Sequence, residues 1–228
     1  MVHSIIPCGG KGLRLGNNTP KQYLPLLSIP IVVHTMLKFQ NVPEVAQIHI
    51  AAEEQYHEYF WEWKEQYGIS KLTTVINGGA ERQLSIYGLL QHLSFAQNDI
   101  ILVHDAVRPF VSTTLIQRVI SDTYAHHAVI PTIPISDTIK RKDPENLVVE
   151  TIDRTQLVSV QTPQGFTASI LLEAYRNAVV TNFLGTDDSS LVEKIAIPVY
   201  CTEGEQTNMK ITTKEDIQKA EFILSSTT

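Results

Sequence analysis

Short apolar runs alternating with amphipathic segments constrain this 228-residue chain more than any other feature. Ser4–Pro7, Gln47–Ala51, Leu72–Ile76, Ile100–Val103 and Val129–Ile133 carry the residue types of strands. Between them, Ile31–Phe39, Glu54–Tyr67, Arg82–Leu93 and Thr114–His126 carry helical patterns. A repeating strand–helix order predicts an α/β fold: a mostly parallel sheet with helices on both faces. Right-handed crossovers then place ligands at the carboxyl ends of the strands, where the loops gather along one edge.

The stretch from Ser136 to about Val160 breaks the rhythm. Polar Lys140–Asn146 is flanked by Thr138-Ile139 and by Leu147-Val148-Val149, the pattern of a β-hairpin without a helix. Ile139, Leu147 and Val149 give the hairpin an apolar face, and a two-stranded hairpin needs a surface to cover it. It is expected either as a flap on its own subunit or as a dimerisation arm at about 136–160. Beyond it the chain predicts a strand to Thr162, helices near Ala168–Val180 and Ser189–Lys194, strands at Pro198–Cys201 and Asn208–Ile211, and a last helix near Lys214–Leu224. No repeat or linker divides the chain, so residues 1–228 are expected to form one domain.

The first strand runs into SIIPCGGKGLRLGNNTPKQ, with Gly9, Gly10, Gly12 and Gly16 set among Lys11, Arg14 and Lys21. Glycines let a ligand approach the backbone, and successive N–H groups in such a loop form an anion-binding concavity. The competing reading is a glycine-rich turn with solvated lysines. Charge favours the anion site: the first 43 residues carry +4 and the remainder −10. A local positive field on an acidic protein suits a small polyanion better than nucleic acid, which demands a broad basic face. Leu15 stands where a dinucleotide fingerprint requires Gly or Ala, and no Gly precedes a Gly-Lys-Ser/Thr at P-loop spacing.

Several other residues could carry chemistry. Asp105 ends an apolar strand beside the polyanion loop, as an exposed carboxylate that Mg²⁺ or another divalent cation would accept with substrate phosphates. It is equally placed for a helix cap or an ion pair with Arg108. Period two puts Lys210 on one strand face with Asn208 and Thr212, where a solvated lysine is the default. Thr186-Asp187-Asp188-Ser189 reads as a helix N-cap with acidic first-turn residues, or as a polar rim for a substrate. His34, His49, His57 and His92 lack metal spacing, His126-His127 suits a helix C-terminus, and His104 is placed to orient the Asp105 loop. Cys8 is a packed small residue or a thiol facing a ligand, and with Cys201 it makes no metal or disulfide framework. No secretion signal or membrane-length apolar run occurs, so the cytoplasm is the expected compartment, with no nucleic-acid or membrane partner.

Assembled in order, these pieces resemble the cytidylyltransferases of the isoprenoid (methylerythritol phosphate) pathway over nearly the whole length. The resemblance rests on the glycine loop with Pro20-Lys21-Gln22-Tyr23, Gly78-Gly79 with Glu81-Arg82 and Ser85, and His104-Asp105-Ala106-Val107-Arg108-Pro109. It continues through Asp137-Thr138, Asp153-Arg154, Gln161-Thr162-Pro163-Gln164, Thr186-Asp187-Asp188 and Asn208-Met209-Lys210-Ile211-Thr212.

The resemblance implies a Rossmann-like nucleotidyltransferase fold of the glycosyltransferase-A kind. It implies transfer of CMP from CTP to a sugar-alcohol phosphate, releasing pyrophosphate. Arg14, Lys21 and Lys210 would be catalytic. Pro7, Cys8, Gly9, Gly10, Gly12, Gly79, Ser85 and Asp105 would meet the nucleotide. Asp105, Arg108, Thr138, Arg154, Thr162 and Thr186 would meet the acceptor. Asp105 would also hold Mg²⁺, and the arm would bring Thr138 and Arg154 across a homodimer interface.

The chain departs from the family in places. Cys8-Gly9-Gly10 replaces Ala-Ala-Gly, Ala80 replaces an acidic residue of some relatives, and Val107 is shared with the sister enzyme that makes CDP-ribitol. Ribitol 5-phosphate is therefore an alternative acceptor, though Asp137-Thr138-Ile139-Lys140-Arg141 and Asp153-Arg154 look more like the isoprenoid enzyme. A non-catalytic nucleotide-binding protein is the alternative of another class, and it has no need for cations around an α-phosphate. A dehydrogenase is disfavoured by the broken fingerprint.

Overall fold

The computed structural model describes residues 1–9 and 19–226. Strand β1 (Val2–Pro7) comes first, and after a 3-10 turn at Lys21–Tyr23 follow a short hairpin, β2 (Pro25–Leu26) and β3 (Ile29–Pro30), and helix α1 (Ile31–Gln40). The alternation continues with β4 (Val45–Ala52), a 3-10 turn at Glu54–Tyr56, α2 (His57–Tyr67), β5 (Leu72–Asn77), α3 (Arg82–His92) and β6 (Ile100–Val103). Then come α4 (Thr113–His126), β7 (Ala128–Pro134) and the arm strands β8 (Ile139–Lys142) and β9 (Val148–Ile152). The remainder is β10 (Val158–Val160), β11 (Gln164–Thr167), α5 (Ala168–Val180), α6 (Asp188–Lys194), β12 (Tyr200–Glu203) and α7 (Lys214–Ser225).

The main sheet has the order β10-β7-β11-β6-β1-β4-β5, with β12 also paired to β7. β1 runs parallel to β4 and β6, β4 to β5, and β12 to β7. β10 and β11 are the antiparallel members. Period two explains why the central runs lack polar alternation. Ile5, Ile101 and Val103 pack against α3, α5 and α6, while Ile6, Ile100 and Leu102 pack against α1, α2 and α4. A sheet covered on both faces favours apolar side chains pointing either way, with His3, Ser4 and His49 as buried polar exceptions on β1 and β4.

The structure corrects three expectations. Asn208–Ile211 is not a strand. Asn208 and Ile211 are both fully buried, and the side-chain amide of Asn208 bonds Gln161 and Thr162 instead of joining a ladder. Period two therefore fails there, and Lys210 is exposed while Asn208 is not. β11 was not expected, because a four-residue strand with a central Gly gives little β signal. Gly165 is needed: a Cβ there would lie 2.2 Å from Thr123 Oγ1 and 2.8 Å from Val119, so α4 packs directly on the strand backbone. The expected Pro198–Cys201 strand is shifted to Tyr200–Glu203.

The arm is a two-stranded antiparallel hairpin with Ile139 opposite Ile152 and an Arg141–Glu150 ion pair at 2.9 Å. Its tip is tighter than the sequence suggested. Asp143 and Leu147 close it, and Asn146 adopts a φ of 68°. Leu147, Val148 and Val149 are all more than 60% exposed, so the chain by itself leaves apolar side chains on both sides of the arm uncovered.

β1 and β4 each carry a buried histidine. His3 Nδ1 is 3.1 Å from His49 Nε2, and both rings are buried. Burial, reinforced by the positive charges of His3 and His92, drives the His49 pKa down to about 3. The folded protein thus holds His49 neutral where the unfolded chain protonates it at about 6.5. The unfolded state binds more protons between those values, so stability present above pH 6.5 is lost as pH falls toward 3. Lowering pH from 7 to 5 should cost on the order of 2 kcal/mol for this one group. Urea denaturation at both pH values should show that loss, and His49→Gln should remove most of it; an unchanged pH dependence in the variant would refute the assignment.

Candidate active site

Three strand ends supply the site. β1 hands the chain to Cys8, whose N–H donates to the Ala51 carbonyl at 2.7 Å. The Cys8 carbonyl accepts from Gln22 Nε2 at 2.5 Å and from the Tyr23 hydroxyl at 3.4 Å, so the two ends of the glycine loop are tied together. The Cys8 thiol is buried and donates to the Ile6 carbonyl at 3.5 Å. Burial pushes its pKa far above the usual thiol range, so Cys8 is a packed residue. Pro7 precedes it at the end of β1. Gly10, Gly12 and Arg14 lie outside the described residues.

Gly9 packs against the turn after β5. A Cβ on Gly9 would stand 3.1 Å from Ser85 Oγ and 3.4 Å from the Gly79 carbonyl. Ser85 Oγ accepts from the Gly79 N–H at 3.0 Å and donates to the Glu81 carbonyl at 3.1 Å. A Cβ on Gly79 would fall 2.6 Å from that of Leu84, so only glycine fits. The structure therefore brings Gly9, Gly79 and Ser85 together, with the Ser85 hydroxyl spent on shaping the turn.

β6 delivers His104 and Asp105. Asp105 is 8% exposed, which corrects the expectation of an exposed carboxylate. Its Oδ1 accepts from Arg82 Nε at 3.2 Å; its Oδ2 lies 2.9 Å from Lys210 Nζ and 3.5 Å from Arg108 Nε. Burial alone would raise the Asp105 pKa, but the charges of Arg82, Lys210 and Arg108 outweigh it and hold the carboxyl well below the usual range. Arg82 also reaches the fully buried Asp188, Nη2 to Oδ2 at 2.8 Å, and the Tyr175 hydroxyl donates to Asp188 Oδ1 at 2.5 Å. Three cations thus face two carboxylates, an arrangement that retains positive charge for a polyanion.

Hydrogen bonds fix the His104 tautomer. Nε2 is 3.1 Å from the Arg108 carbonyl, which only accepts, so this nitrogen carries the proton. Nδ1 then accepts from the Thr162 hydroxyl at 3.0 Å, while Thr162 Oγ1 accepts the Asp105 N–H at 3.1 Å. Burial pulls the His104 pKa down to about 3, so the imidazole is neutral and acts as the orienting residue expected from its place in the sequence. Lys21 donates to the Ile211 carbonyl at 3.1 Å, which ties it to the Lys210 segment.

Thr186 is exposed and lines a cavity of about 200 Å³ with Arg82, Gln83, Gly185, Asp187 and Asp188. Asp187 caps α6 by accepting the Ser190 N–H at 3.0 Å, as the sequence suggested. Thr138 and Arg154 are not brought to this cluster within the one chain. Thr138 is exposed on the arm, and the Arg154 guanidinium donates to the Ser136 carbonyl. Arg154 borders a separate groove of about 520 Å³ with Thr132, Leu157, Cys201 and Glu203.

Sequence reasoning missed Arg82, Asp188, Tyr175 and Asn208 as parts of the site. Arg82 and Asp188 were visible within motifs, but nothing in their spacing says that 106 residues of sequence separation close to 2.8 Å. Among the described residues, no three His, Cys, Asp or Glu side chains form a metal cage, and no helix is long and apolar enough to cross a membrane.

Comparison with known proteins places this geometry. The IspD family model, described as 2-C-methyl-D-erythritol 4-phosphate cytidylyltransferase, matches residues 2–226. The enzyme of that name from Bacillus cereus is 44% identical over 98% of both chains. That of Symbiobacterium thermophilum is 41% identical over 98% of this chain and 92% of its own. Among solved structures, the 4-diphosphocytidyl-2C-methyl-D-erythritol synthase of Anaerococcus prevotii superposes with a TM-score of 0.86 at 29% identity, covering 98% of this chain and 96% of that one. The Francisella tularensis cytidylyltransferase gives 0.82 at 30% identity, covering 97% and 98%. With the match spanning both the parallel sheet and the loops that meet at Asp105, the chain belongs to the 2-C-methyl-D-erythritol 4-phosphate cytidylyltransferase family.

Proposed function

We propose that this cytidylyltransferase works on CTP, as a cytoplasmic homodimer with a divalent cation, and that its chemistry takes place around Asp105. An oxygen of the acceptor phosphate attacks the α-phosphorus of CTP. The new P–O bond forms as the bond to the β-phosphate breaks, and pyrophosphate leaves with that electron pair. The acceptor phosphate has a second pKa of about 6 and is largely dianionic at neutral pH, so it needs no general base. The task is to align two anions and to offset the charge that grows between them. Arg14, Lys21 and Lys210 are the cations assigned to that task, with Arg108, Thr162 and Thr186 toward the acceptor.

The observation that carries this reading is the Asp105 carboxylate held among Arg82, Arg108 and Lys210. Its side-chain partner Lys210 is 42% exposed, so this ammonium can turn toward phosphates and leave Oδ2 to a metal ion. A single ionised carboxylate fits a divalent ion that takes its other ligands from phosphates and water. Such an ion would neutralise charge on the triphosphate.

Pyrophosphate release tests the reading. With CTP and Mg²⁺, 2-C-methyl-D-erythritol 4-phosphate should support turnover, ribitol 5-phosphate should not, and a chelator should abolish the signal. Turnover with ribitol 5-phosphate alone would reassign the acceptor, and full activity in chelator would remove the metal.

The dimer rests on the uncovered apolar arm and on Arg154 standing apart from Asp105 in one chain. A C₂ pair would cover the arms and carry Arg154 into the neighbouring site. Subunits lacking Lys21 and subunits lacking Arg154, each inactive alone, should recover up to about half of normal activity when mixed, because one of two sites is rebuilt. No recovery in confirmed heterodimers would place Arg154 in its own subunit's site.

A further inference from the structure

Lys210 owes its place beside Asp105 to no strand ladder: residues 204–213 contain neither helix nor strand. Its neighbours fix it instead. On one side the Ile211 N–H donates to the Val107 carbonyl at 2.9 Å, and the Ile211 side chain is buried. On the other side stands Asn208, fully buried. Its Nδ2 donates to the Thr162 carbonyl at 2.8 Å and to Gln161 Oε1 at 3.3 Å, and its backbone carbonyl accepts from Arg108 Nη1 at 2.7 Å.

The amide orientation is forced. The Thr162 carbonyl only accepts, and Gln161 cannot turn over, because its Nε2 donates to the Glu205 carbonyl while its Oε1 accepts the Glu205 N–H. Asn208 Oδ1 is left buried without a hydrogen bond among the described residues.

The geometry points to Asn208 as a positioning residue for the transfer reaction. Its side-chain amide joins the Lys210 segment to Thr162 and Gln161, and so holds the Lys210 ammonium on the Oδ2 side of Asp105. This role rests on the cationic function of Lys210 proposed above and extends it to a side chain that touches no substrate.

A double-mutant cycle in steady-state kinetics with CTP and the acceptor tests it. Asn208→Ala should lower kcat about 30-fold in the parent enzyme, yet cost less than about 3-fold in a Lys210→Ala background, since effects that act through one group are not additive. Asn208→Ser keeps a donor for the Thr162 carbonyl and should recover part of kcat. An equal loss in both backgrounds, or an unchanged kcat, overturns the assignment while leaving Lys210 catalytic. Normal kcat in Lys210→Ala alone would instead refute the role of Lys210 and take Asn208 with it. If thermal melts show that neither Asn208 variant folds, Asn208 is a folding residue and the proposal fails.

Discussion

The ion cluster at Asp105 is the interaction on which the rest of the site depends. One carboxylate collects Arg82 from α3, Arg108 from its own loop and Lys210 from the irregular segment before α7. Each cation is anchored a second time: Arg82 at Asp188, Arg108 at the Asn208 carbonyl, and the Lys210 segment at Val107 and Thr162. Like charges brought this close would repel without the carboxylate between them. The central anion therefore concentrates positive charge at one sheet edge while keeping each guanidinium and ammonium in a defined place.

That design matches a reaction between two anions. A buried base would be idle here, and the one histidine at the centre is held neutral by burial, while its bonds to Arg108 and Thr162 fix its tautomer. The Thr162 hydroxyl carries this order from His104 to the Asp105 backbone. What remains for the protein is preorganised charge, which acts most strongly where water is excluded.

The architecture was legible because strand and helix periods are local. Ile100–Val103 and Ala168–Val180 fall on the expected residues, and Ser4–Pro7 is extended only at its start. Asn208–Ile211 misled because alternating residues there satisfy a period of two, whereas the burial of Asn208 comes from partners at Gln161 and Thr162. Asp105, Arg108, Thr162 and Lys210 were named from motifs and do meet in space. Of their supports, Asp188 stood in a quoted motif without its pairing to Arg82 being evident and Tyr175 was not named, because long-range pairing leaves no signal in spacing. The glycine-loop residues Gly10, Gly12 and Arg14 lie outside the described residues, and Thr138 and Arg154 reach no described part of the Asp105 cluster within one chain.

The central claim is that charge alignment, and not proton transfer to a protein base, drives the reaction. The pH dependence of kcat/KM for the acceptor, measured with CTP saturating, tests it most directly. The account predicts a rise of unit slope through the acceptor phosphate's second pKa, near about 6, followed by a plateau. Replacing that phosphate by the more acidic thiophosphate should move the rise to lower pH. A limb that stays in place when the substrate's pKa changes would reveal a titrating protein group and contradict the account.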